Sequence, residues 1–103
     1  MMLKKVQKLP NEIWEDMLGK KHLQLANYLS KTLNEDLNTT ATRAWTIFES
    51  IKKLGLPDHQ PIVFKRVSGN MVELESGSVT IATTLVDIRT VNEPVVITIA
   101  AEV

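Results

Sequence analysis

Two histidines, His22 and His59, and the Asp and Glu side chains are the groups in this sequence that could move a proton or hold a metal. A zinc site gathers three or four ligands around one small sphere, and the histidines lie on different segments with no ligand spacing between them. Asp58 beside His59 has the look of a base with an orienting carboxylate. Between Pro57 and Pro61, however, the stretch is extended, and adjacent side chains of an extended chain point opposite ways. Glu73, Glu75 and Asp87 could meet across strands, but carboxylates on a wet sheet face need no catalytic explanation. Ser68-Gly69-Asn70 and Ser76-Gly77-Ser78 are hairpin turns before they are phosphate nests. No phosphate-binding loop, dinucleotide glycine pattern or nucleophile elbow is present. The lack of cysteine removes disulfides, thiolate catalysis and thiolate metal sites together. The expectation is a non-enzymatic chain with no catalytic, cofactor-binding or metal-binding residues.

The elements that hold these groups centre on one amphipathic helix, expected over residues 39–55. Thr39 and Thr40 can accept from free backbone N–H groups of a first turn. Ala41, Ala44, Trp45, Phe48, Ile51 and Leu54 then recur at threes and fours, on one side of a helix. Arg43, Glu49, Ser50, Lys52 and Lys53 fall mostly elsewhere. Lys52 and Lys53 suit the negative helix end, Gly55 can take the left-handed closing conformation, and Pro57 forbids continuation. With Trp45 and Phe48 on it, this helix is expected to wall the core.

Residues 1–9 are short and basic, and read as an N-terminal arm, with an extra strand or a docking segment as alternatives. Residues 10–103 then form a single domain. Pro10 and Asn11 open a helical region in which Ile13, Trp14, Met17 and Leu18 make an apolar face. Gly19, followed by Lys20 and Lys21, favours a break. Leu23, Leu25, Ala26, Leu29 and Leu33 resume the helical period, and residues 34–38 form a polar turn. After Pro61 the period falls to two. Residues 62–67 and 71–75 read as a hairpin with one wet face, because Val72 and Leu74 alternate with Glu73 and Glu75. A third strand starts at Val79, and the alternation slips at Leu85-Val86, as at a bulge or the end of a strand. Residues 95–101 make a last strand, rich in β-branched side chains, uncharged before Glu102, and either interior to a sheet or paired with another chain. Helices first and strands second is the α+β pattern: two or three N-terminal helices packed on an antiparallel meander of four to five strands.

Twelve basic and twelve acidic residues balance, so bulk charge gives no reason to expect nucleic acid, membrane or acidic ligands. No apolar run is long enough to span a bilayer and the N-terminus lacks a secretion-signal core. A cytoplasmic protein is expected, or a virion component if the chain is a phage protein. The expected function is interaction or assembly, as a phage-type structural or accessory subunit that associates through its C-terminal sheet. Val95, Ile97, Ile99 and Ala101 would form the interface, and the partner would be a protein or a second copy rather than a membrane or a small-molecule substrate. A small inhibitor or immunity-type protein acting on a larger partner fits the same size and lack of motifs.

Residues 25–30, LANYLS, the run Thr42-Arg43-Ala44 with Phe48, Ile51 and Leu54-Gly55-Leu56, and the hairpin over 62–75 together resemble winged helix-turn-helix domains. That resemblance implies DNA binding, with Thr40, Thr42, Arg43 and Thr46 toward the major groove and Lys65 and Arg66 on phosphates. The linker over 34–38 is longer than that family's tight turn, and the strands from Val79 onward have no counterpart in it.

Overall fold

The computed structural model describes residues 1–55, 60–87 and 92–102. Asp58 and His59, together with Leu56 and Pro57 of the expected helix stop, lie outside them. Two helices, α1 (Asn11–Leu33) and α2 (Leu37–Lys53), pack with five strands: β1 (Met2–Lys5), β2 (Val63–Ser68), β3 (Met71–Ser76), β4 (Val79–Val86) and β5 (Val95–Glu102). The strands form one antiparallel sheet in the order β1-β5-β4-β3-β2. The chain is thus α+β, as its period change implies. None of the described helices is long and apolar enough to cross a membrane.

Residues 1–9 are not a free arm. Met2–Lys5 completes the sheet beside β5, with Leu3 opposite Ile97. The following residues are tied down as well: Gln7 N–H donates to Thr42 Oγ1 at 3.2 Å, and Leu9 N–H to Asn38 Oδ1 at 3.1 Å. Four residues with two lysines carry no readable period, which is why this strand is hard to foresee.

Gly19 breaks α1. Its φ of 77° and ψ of 168° are non-helical, and only glycine takes them without a steric penalty. The kink lets Trp14 and Leu18 before it, and Ala26 and Leu29 after it, all turn inward and become buried. Asn34, with φ 53°, closes α1 in the left-handed region. Two residues later Asp36 caps α2 by accepting from Thr39 N–H at 2.8 Å. The cap is therefore Asp36, three residues ahead of the expected threonine, and Thr39 and Thr40 are buried inside the helix. Gly55, with φ 74°, ends the element as expected, its N–H donating to Lys52 O at 3.0 Å.

Helix α2 lies between α1 and the sheet, so it has two buried sides. Ala41 and Ala44 pack with Trp14, Leu18 and Ala26 of α1. Ile47 and Ile51 pack with Leu29 and with Val72, Leu74, Val79 and Ile81 of the sheet. The aromatic wall differs from expectation. Trp14 is the buried tryptophan, at 1% exposure, its indole N–H donating to Asn38 Oδ1 at 2.9 Å. Trp45 is only half-buried, with the Lys4 ammonium 4.6 Å from its ring centroid. Leu54 is exposed.

Strand alternation decides the two sheet faces. Val72, Leu74 and Ser76 of β3 are buried while Met71, Glu73 and Glu75 face out. Strand β4 keeps register with β5 as far as Val86, which pairs with Val95. The slip at Leu85-Val86 is thus the end of a strand, and any continuation over residues 88–91 lies outside the described residues. Among the described strands the irregular register falls in β2, between Phe64 and Arg66.

Candidate interaction face

Strand β5 positions the residues expected to associate. Its inner side carries Val96, Thr98 and Ala100 against α2, and its outer side Val95, Ile97, Ile99 and Ala101. Hydrophobicity is inverted between them. Thr98 is fully buried, whereas Ile99 is 50% exposed, Ile97 is half-buried and Ala101 is exposed. Val95 is buried and does not contribute exposed surface.

The register extends this patch across neighbouring strands. Leu3 of β1 sits beside Ile97 and is 52% exposed. Ala82 of β4 sits beside Ile99, and Thr84 beside Ile97. Toward β2 the outer face turns charged, and there the charges are paired: Arg66 with Glu73, and Lys65 Nζ with Glu75 Oε2 at 3.7 Å. The three carboxylates considered for chemistry do not gather. Glu73 and Glu75 answer these two cations, and Asp87 is an exposed residue beyond the end of β4.

The inner side holds the polar groups. Arg43 is fully buried and forks onto Glu35, with Nε to Oε1 at 2.8 Å and Nη2 to Oε2 at 2.7 Å. Its Nη1 donates to Thr83 O at 2.9 Å, tying helix to sheet. Thr46 Oγ1 and Thr98 Oγ1 are hydrogen-bonded at 2.7 Å, and Thr98 Oγ1 donates to Thr83 Oγ1 at 3.0 Å. Among the described residues no buried side-chain polar atom is without a partner.

This seam overturns the placement that the winged-helix resemblance implies. Thr40, Thr42, Arg43 and Thr46 are at most 1% exposed. The sides of α2 that carry them are held against α1 and the sheet and cannot enter a DNA groove. Lys65 and Arg66 are exposed, but their charge is answered by Glu75 and Glu73 on the adjacent strand.

His22 lies against Phe48, the two rings nearly parallel with centroids 3.2 Å apart. Among the described residues no three His, Asp or Glu side chains gather as a metal site would need. The turns at Gly69 and Gly77 join adjacent antiparallel strands. Asn70 in the first accepts from Leu85 N–H and Thr84 Oγ1 and donates to Leu85 O, so its side chain is taken up by structure.

Sequence reasoning missed Leu3, Ala82 and Thr84 as parts of the face. Their contribution depends on strand order and register, which local alternation does not reveal. It also missed Glu35 as the partner of Arg43. Comparison with known proteins finds no matching family model, curated protein or solved structure.

Proposed function

We propose that this protein is a non-enzymatic assembly subunit that associates with a second copy of itself, outer sheet face against outer sheet face. The supporting observation is the polarity of β5, which buries Thr98 and leaves Ile99 half in solvent. In a stand-alone two-layer domain the side toward the helices holds the apolar residues and the other side is polar. The inversion makes sense if the outer side is also an interior, formed on association.

The sheet's edges argue for this mode over strand addition. Edge strand β1 spans four residues, two of them lysines. The opposite edge, β2, carries Lys65, Arg66 and the register irregularity. Short length, lysines and bulges all discourage pairing with another edge. Strand β5 itself is interior, flanked by β1 and β4, so association through the C-terminal strand has to use its face. The acidic and basic groups of β2 and β3 are paired within each copy, so they do not oppose the meeting of two identical faces, whereas Lys5 at the β1 corner of the outer face has to stay at the rim of the contact. Two such sheets would stack about 10 Å apart with strands roughly 30° from parallel.

Light scattering coupled to size-exclusion chromatography tests this reading. The mass should rise from 11.6 kDa toward twice that value with concentration. The Ile99→Glu variant should stay at the monomer mass with an unchanged circular dichroism spectrum. A wild-type monomer at every concentration would refute self-association.

A further inference from the structure

A second apolar surface lies away from the outer sheet face. A groove of about 440 Å³ opens between α1 and the β2 side of the sheet. Leu25 and Phe48 line it, with Pro61, Ile62 and Phe64 from the segment leading into and through β2. Tyr28 is half exposed and stands edge-on to Phe64, ring centroids 5.6 Å apart at 81°. This edge-to-face pair forms one wall of the groove. The volume falls in the range of small-molecule sites, roughly 300–1,000 Å³.

Its polar groups are few and placed together. Lys21 and Gln24 lie on α1 two turns and one turn before Tyr28, so all three share one helix face. Among the described residues that line it, Lys21 is the only charged one and none is a carboxylate. An apolar channel with one cation and an amide donor complements a hydrocarbon or aryl body that ends in an anion.

We propose that this groove binds a small apolar carboxylic acid, its body against Phe48, Ile62 and Phe64 and its carboxylate at Lys21 and Gln24. Binding here is independent of the assembly reading, because none of these residues lies on the outer face of β5. Since Lys21 is exposed, its ion pair with the acid is screened and modest. The apolar contacts carry most of the affinity, and the cation sets the preference for acid over alcohol.

Amide NMR titration of the full chain with octanoate, and separately with 1-octanol, tests the proposal. Octanoate should give saturable shifts centred on Gln24, Tyr28 and Phe64, and bind roughly two- to fivefold more tightly than octanol, the preference of one exposed ion pair. Lys21→Gln should abolish that preference while both ligands still bind. Tyr28→Ala removes a half-exposed ring, so it should keep the fold and weaken both ligands. Equal affinity for acid and alcohol in the wild type would overturn the assignment. So would shifts centred on Ile97 and Ile99 in place of the groove, or no saturable shift at all.

Discussion

On the helix side of β5, Val96, Thr98 and Ala100 face α2; on the other side Ile97, Ile99 and Ala101 have neighbours within the sheet, and no described helix packs over them. The covered side tolerates threonines and even an arginine because every donor and acceptor finds a partner. Arg43 is neutralised by Glu35 and anchored on Thr83, and the Thr46, Thr98 and Thr83 hydroxyls form one chain. Among the described residues, Ile97 and Ile99 on the uncovered side of β5 stand apart from any such network. On this strand a polar residue can therefore be buried as fully as an apolar one, provided its hydrogen bonds are met. A fully buried arginine is the rarer feature of the two, but it is the apolar patch that Leu3, Ile97 and Ile99 form together on the outer face that points to a partner.

Four substitutions probe that contrast. The largest effect is expected on the covered side, at Arg43. Replacing it with Ala strands Glu35 and the Thr83 carbonyl, and breaking a buried pair in this way costs about 3–5 kcal/mol. A urea melt should show it. The paired change Glu35→Leu with Arg43→Met should recover much of the loss, because neither charge is then left alone. If the double variant is as unstable as the single, the seam is not a matched ion pair. Phe48→Ala comes next, at about 3 kcal/mol, near the lower end for an aromatic truncation because Phe48 already borders two cavities. A thermal melt without a shift would show that the α1–α2 contact does not depend on it.

The last two substitutions set neighbouring residues of one strand against each other. Thr98→Val keeps the shape and removes a hydroxyl from the chain, leaving the Thr83 hydroxyl without this partner while Thr46 keeps its bond to Arg43 O, for about 1–2 kcal/mol. Ile99→Thr, one residue on and on the opposite face, should change monomer stability by less than about 0.5 kcal/mol while weakening association. If chemical denaturation at low concentration instead ranked Ile99→Thr as the more damaging, the outer face would be an ordinary interior covered within one copy.

These contrasts also explain what could be read from the chain itself. The break at Gly19, the stop at Gly55, the β2–β3 hairpin and the alternation of Val72 and Leu74 with Glu73 and Glu75 are local, and local chemistry dictates them. Ile97 and Ile99 were visible as one face of a strand, but not which face would meet the helix. Arg43 falls off the apolar stripe of α2 in the sequence, and its charge gives no local sign of burial. Its burial depends on Glu35, which lies before the helix begins, and on a carbonyl 40 residues away. Trp14 and Trp45 both fit apolar stripes, and only the packing of α1 on α2 decides which is buried. Strand β1 needed a partner from the far end of the chain.

The claim that the outer side of β5 is an interface between copies is tested most directly by isotope-filtered NMR on a mixture of labelled and unlabelled protein. Intermolecular contacts from the Ile97 and Ile99 methyl groups to Leu3 and Ala82 of the partner are predicted, fading on dilution. Finding no intermolecular contact to those methyl groups in concentrated protein would contradict it.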